Sequence, residues 1–233
     1  MKSDHRQRIG RVVAPLVFGL GGAAVLIALC VWQVQRLQWK EGVLAEIDGR
    51  MAEAAGPLPE APLPGVDRYA PVIVEGTFGD GALHVLTSQR QGGPGYLVVQ
   101  TFETSDRRRI LVDRGYVTET DKAAVFDTGP VSFSGHLAWP RETDMFTPEP
   151  NLERNIWFAR DVDAMAEALG TEPVLIVASQ PTGDPSPRPV PVGIDIPNNH
   201  LSYAITWGLL AALWLAMTGY LVYRITRTEA AKG

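Results

Sequence analysis

The sequence predicts an α+β membrane protein: a transmembrane helix at each end, and between them a mainly antiparallel, open barrel-like β domain with a short helix. Three observations carry this prediction. Residues 12–35 contain no charged side chain, residues 201–223 contain none either, and the chain between breaks into short apolar runs punctuated by Gly, Pro and Asp. Apolar residues are thus gathered at the two ends, although the mean hydropathy of the whole chain is +0.00.

Residues 1–11 form a short basic tail, with Lys2, Arg6, Arg8 and Arg11 against Asp4. The 12–35 run exceeds the roughly 20 apolar residues that a helix needs to cross a hydrocarbon core. Pro15 falls in the first turn, where a missing N–H breaks no bond. Trp32 and Trp39 sit at the far end, as an aromatic belt would place them. A cleaved signal peptide would need a shorter apolar region followed by small residues. Here Ala28-Leu29-Cys30-Val31-Trp32 is bulky, and Leu29 is large for the position before a lipid-modified cysteine, so an uncleaved anchor is expected.

The second span covers residues 200–223 and leads into a tail, 224–233, that opens with Arg224 and Arg227. Basic residues at both ends place both termini in the cytoplasm and residues 36–197 outside it. Arg36 and Lys40 count against that orientation, but Glu41, Glu46 and Asp48 lie close by.

Residues 40–55 continue the first helix on a stripe of Val43, Leu44, Ile47 and Met51. Residues 56–65, with four prolines, read as a linker. Strand patterns then follow at 69–78, 84–87, 95–103, 109–117 and 131–139, separated by turn residues such as Asp127, Gly129 and Pro130. Short strands at this spacing suggest antiparallel pairing. Asp161 caps a brief helix over 162–169 that Gly170 ends, and 172–180 reads as a last strand. A second proline-rich linker, 181–197, completes the domain.

Composition removes several function classes. A net charge of -5 argues against nucleic acid, whose phosphates call for a basic face. Cys30 is the only cysteine, so no intramolecular disulfide forms. The histidines, His5, His84, His136 and His200, are scattered, and no metal-chelating motif occurs. P-loop, nucleophile-elbow, zincin and dinucleotide fingerprints are missing, and no nucleophile–base pair stands out for a hydrolase. Gly92-Gly93-Pro94-Gly95 reads as a turn, with no helix after it to hold an anion. His84 and His136 lie in strand-like runs as packed or surface side chains, and Arg107-Arg108-Arg109 as a solvated hairpin tip. Asp113-Arg114-Gly115 suggests an internal, structural ion pair.

His200 stands apart. At helical spacing His200, Tyr203, Ala204 and Trp207 fall on one face, a column about 10 Å long at the start of the second span. An ionisable residue at a membrane span is a functional candidate. Neutral imidazole is a common ligand to haem iron, and a flat apolar macrocycle would meet Tyr203 and Trp207 on the same face. Ala204, Gly208, Ala211 and Ala212 are small enough to admit another helix or a ligand. The residues equally allow an interfacial His200 that joins Asn198 and Asn199 in capping the helix and bonding water.

From end to end the chain resembles the Surfeit locus protein 1 family. The likeness runs through Trp32-Gln33-Val34-Gln35-Arg36-Leu37-Gln38-Trp39-Lys40, Glu75-Gly76-Thr77-Phe78 and Gly93-Pro94-Gly95-Tyr96. It continues through residues 110–117, Phe146-Thr147-Pro148, Asn151 and Trp157, and closes on residues 198–204 and Trp207. Asp113 stands where the family often has asparagine, Tyr116 where it often has tryptophan, and Gln100-Thr101-Phe102 replaces a Thr-Pro pair.

The resemblance implies a non-enzymatic assembly factor for haem–copper terminal oxidases. Such a factor would bind haem a and assist its insertion into cytochrome c oxidase subunit I, beside the haem a synthase. The family's second-helix histidine corresponds to His200, a candidate axial ligand, and its tryptophan to Trp207, with Tyr203 as a further haem contact. A two-pass protein of the bacterial inner membrane is implied, in contact with lipid, its central domain periplasmic. The alternative is a membrane-anchored scaffold that steadies nascent subunit I without holding haem.

Overall fold

The computed structural model describes residues 2–89, 92–124, 129–183, 187–192 and 199–230. Asp127, Asn198 and parts of the second linker (184–186 and 193–197) lie outside the described residues. The chain divides into two compact units, Met1–Ala45 with Asp195–Gly233, and Glu46–Ile194.

The first unit is a pair of helices. Helix α1 spans Lys2–Met51 and runs unbroken past Pro15. The C-terminal helix, α3, spans His200–Ala230. Both are long and apolar enough, by length and composition, to cross a membrane, over Val12–Met51 and His200–Thr228. The two helices pack antiparallel: Gln33 meets His200, Cys30 meets Ala204, and Gly19 meets Trp214. The contact stripe on α1 recurs at Gly19, Gly22, Ala23, Leu26, Cys30 and Gln33, the spacing of one helix face. Small residues let the backbones approach: Ala23, Ala204 and Ala211 are all buried.

The second unit holds the sheet and helix α2. Its strands are β1 (Gly56–Pro57), β2 (Pro71–Gln89), β3 (Gly93–Thr104), β4 (Arg109–Thr118), β5 (Pro130–Ala138) and β6 (Leu175–Ala178), with α2 at Val162–Leu169. The order is β1-β2-β3-β4-β6-β5, and the first half of β2 also pairs with β5. This corrects the barrel expectation: the sheet is mixed and is not a barrel. β1–β2 and β4–β6 are parallel pairs. The physical reason lies in the connection through α2, which carries the chain across so that β6 enters between β4 and β5.

The runs read as separate strands at 69–78 and 84–87 are one strand, β2. Gly79-Asp80-Gly81 makes a register shift between Phe78 and Ala82 rather than a turn. Gln100 closes the irregularity by donating to the Gly79 carbonyl at 2.6 Å. Neither proline-rich linker is wholly loose. Gly56–Pro57 joins the sheet, and Arg188 exchanges backbone bonds with Tyr116 at 2.7 and 2.9 Å. Val190 and Val192 pack on the core.

The middle strands are apolar on both sides because both sides are covered. Leu97, Val99, Leu111, Leu175 and Val177 face Trp157 and the Val162, Met165 and Ala166 stripe of α2. Alternate residues, Phe102, Ile110, Val112 and Ile176, join Phe78 and Phe133 in a second cluster. Phe102 meets Phe133 edge-on at 5.3 Å and Phe78 at 4.9 Å. Helix α2 has the termini its sequence announces. Asp161 accepts a bond from the Ala164 N–H at 3.1 Å, and Gly170 closes it at φ 64 and ψ 46.

Candidate functional site

The histidines and several of the arginines described within the sheet unit are occupied by structural bonds. His136 donates from Nε2 to the Met51 carbonyl at 3.2 Å and accepts from the Ser179 hydroxyl at 3.0 Å, so it ties down the last turn of α1. His84 accepts from the Asn155 amide at 3.1 Å and meets Tyr96 edge-on. Burial and the Lys122 charge push its pKa down, so it stays neutral and structural. Arg108 at the hairpin tip is not solvated: it pairs with Glu172 at 2.7 Å and donates to the Pro59 carbonyl. The ion pair expected within Asp113-Arg114-Gly115 forms elsewhere. Asp113 pairs with Arg160 at 2.9 Å, and Arg160 also grips Glu142. Arg114, fully buried, bonds Gln100 and Thr182 and lies over the Phe78 ring.

His200 opens α3. The Tyr203 N–H donates to the Asn199 carbonyl at 3.2 Å, so the first helical bond starts one residue before the imidazole. Nδ1 of His200 lies 2.7 Å from Oε1 of Gln33, 167 positions away in sequence. An amide oxygen only accepts, so Nδ1 donates in this bond, and in the neutral ring that places the lone pair on Nε2. This is the tautomer a metal-ligating histidine needs, held by an acceptor behind it.

The column read from the sequence divides in the structure. Ala204 is buried against α1, where its carbonyl accepts from the Cys30 thiol at 3.2 Å. Trp207 is half-buried beside that seam, while Tyr203 points outward and is 55% exposed. Trp32, next to Gln33, is likewise exposed. Aromatic side chains thus neighbour both members of the His200–Gln33 pair in sequence, Trp32 on α1 and Tyr203 and Trp207 on α3. Among the described residues no three His, Cys, Asp or Glu side chains gather to hold a metal. Farther along the pair lies an apolar cavity of about 720 Å³, walled by Val17, Phe18, Gly22, Leu213, Trp214 and Met217.

Gln33 is the site residue that sequence reasoning missed. The signal was present: a carboxamide inside a run without charge, on the same stripe as Gly19, Gly22 and Cys30.

Two long apolar helices, paired through small residues and bracketing a mixed-sheet domain in sequence, define the class of protein, with the His200–Gln33 pair at the start of α3. A family model described as the SURF1 family matches residues 20–212. The chain is 34% identical over 229 residues to Surfeit locus protein 1 of Rattus norvegicus, an alignment covering 86% of this chain and 72% of the relative. It is 34% identical to the Homo sapiens Surfeit locus protein 1, over 84% of this chain and 72% of that one. A SURF1-like protein of Drosophila melanogaster is 29% identical, over 86% and 74%. The chain belongs to the SURF1 family.

Proposed function

We propose that this protein is a membrane-anchored, non-catalytic assembly factor for a haem–copper terminal oxidase, which binds haem a and assists its insertion into subunit I. The observation that carries the proposal is the His200–Gln33 pair, which engages Nδ1 of His200 and leaves Nε2 as the ring nitrogen that would ligate iron. His200 would hold the haem through Nε2, and the haem would supply the iron that this nitrogen ligates. Trp207 and Tyr203 offer apolar faces to the ring, and the cavity near Trp214 offers apolar surface to an isoprenoid tail. With His200 as its one protein ligand, the haem would be held in a way that favours handover to the oxidase over permanent retention. α1 and α3 are proposed to span the bacterial inner membrane as residues 12–35 and 200–223, both termini cytoplasmic and residues 36–197 periplasmic. The haem a synthase and membrane lipid are the remaining partners in this reading.

The test is an absorption spectrum of protein purified in mild detergent from cells making haem a, wild type beside His200→Ala. Wild type is expected to carry a haem band that the variant largely loses. No band in wild type sinks the carrier role.

One observation favours a scaffold that never holds haem. Met145 and Phe146 are 87% and 84% exposed in the sheet unit, and Leu152 is exposed too, as a surface awaiting a protein partner would be. That reading predicts that Phe146→Ser weakens capture of subunit I while His200→Ala does not.

A further inference from the structure

Behind the proposed ligand stands Gln33, and we propose that it is a positioning residue that sets both the tautomer and the strength of His200 as a ligand. This inference rests on the haem reading above.

Its geometry is defined by more than one bond. The His200–Gln33 distance of 2.7 Å is accompanied one turn away by the Cys30 thiol on the Ala204 carbonyl at 3.2 Å. Farther along, the Trp214 indole binds the Gly19 carbonyl at 2.9 Å. Three cross-helix bonds thus hold α1 and α3 in one register, and in that register Gln33 faces the imidazole. His200 and Gln33 are both half-buried, so neither has full access to water as a substitute partner. A polar side chain in a run otherwise free of charge carries a desolvation cost, which the bond to His200 offsets.

The chemistry of the acceptor decides what His200 does. An acceptor on Nδ1–H raises the electron density that Nε2 offers a metal, and a carboxylate does so more than a neutral amide. A carboxylate would suit a site that keeps its iron. No acceptor at all would leave the ring free to rotate and to swap tautomers. The carboxamide of Gln33 lies between these limits: it fixes the ring while leaving Nε2 a moderate ligand. For a protein whose task is to hold haem a and give it up, that intermediate strength is the useful one.

The experiment uses the full-length protein, purified in detergent with haem a from cells that make it, as wild type, Gln33→Met and Gln33→Glu. Methionine keeps the volume of glutamine and removes the acceptor. Release is timed by transfer to excess apomyoglobin, and the Fe–N(His) stretch of the reduced complex is read by resonance Raman. Gln33→Met should release haem about tenfold faster than wild type with a lower stretching frequency. Gln33→Glu should release it more slowly than wild type, with a higher frequency. Opposite signs for the two variants are the signature of tuning. If both variants release haem faster to a similar extent, or neither differs from wild type in rate and frequency, Gln33 is only a packing residue and the inference falls. If wild type carries no haem, the carrier reading fails and this inference with it. Haem present in wild type and lost in His200→Ala, with both Gln33 variants matching wild type, overturns the inference alone.

Discussion

Trp214 donates its indole N–H to the carbonyl of Gly19 at 2.9 Å, and the bond exists because α1 presents no side chain there. A Cβ on Gly22 would fall 2.6 Å from that indole nitrogen, and one on Gly19 would fall 2.1 Å from Thr218 Cγ2. Backbone approach comes first, and the polar bonds of the seam follow from it.

Cys30 offers a direct readout of this register. A Cβ on Gly208 would lie 3.7 Å from the Cys30 sulfur. Cys30 is therefore expected to form an intramolecular disulfide in the Gly208→Cys variant on mild oxidation, detected as protection from alkylation. Adding Gly22→Leu should cost about 1–3 kcal/mol of helix pairing by overpacking and sharply lower the cross-link yield. An undiminished yield would show that the helices do not pair through Gly22.

Gly115 is a second position where a side chain is excluded. Its φ of +115 disfavours any L residue, and a Cβ there would meet the Arg188 carbonyl at 2.1 Å. Gly115→Ala is expected to cost about 2–4 kcal/mol and to lower Tm of the detergent-solubilised chain. A Tm equal to wild type would mean that the 187–192 segment is not held against β4.

What was legible in the sequence was local, and what was not was pairing across distance. Helix α2 was readable because Asp161 and Gly170 are both its signals and its caps. The two long apolar helices were readable from charge alone. Gly79-Asp80-Gly81 misled because the same residues make a turn or a bulge, and Thr101 and Gln100 on β3 decide which. The mainly antiparallel pairing was readable, but the parallel pairs were not, for a related reason: strand patterns reveal faces, not neighbours, and the short apolar run at Leu175–Ala178 carries no mark of lying parallel to β4. At the site, His200 was readable as a polar residue opening an apolar run. Its partner was not, since the stripe on α1 shows which face is buried but not which residue of α3 it meets. Asp113 posed the same problem: its neighbour Arg114 was the obvious partner, yet Arg160, 47 positions on, is the one that reaches it.

Arg160 serves two carboxylates at once, one of them the fully buried Asp113. Removing the guanidinium leaves Asp113 as a buried charge without its ion-pair partner, so Arg160→Met should destabilise the fold by about 3–5 kcal/mol. Asp113→Asn in the same chain removes that charge and should recover part of the loss. Denaturant unfolding of the two single variants and the double variant gives the coupling. Strict additivity would deny the pair its role.

Within the same triad, Glu142 makes an acid response of its own with a definite sign. Burial pushes its carboxyl up, but the bonds and charge of Arg160 outweigh burial and hold it below the ordinary glutamate value. A carboxylate depressed in the folded state stabilises the fold above its unfolded pKa, about 4.3 for glutamate, and that contribution fades as pH falls through the lower folded value. Asp113 moves the other way, because burial raises it despite the pull of Arg160. The comparison that isolates Glu142 is therefore wild type against Glu142→Gln, with thermal unfolding followed from neutral pH downward. Wild type should be more stable at neutral pH by about 1 kcal/mol, the scale of a partly exposed ion pair, and the gap should close below about pH 4. A gap that stays constant with pH would place the effect in packing rather than in the charge of Glu142.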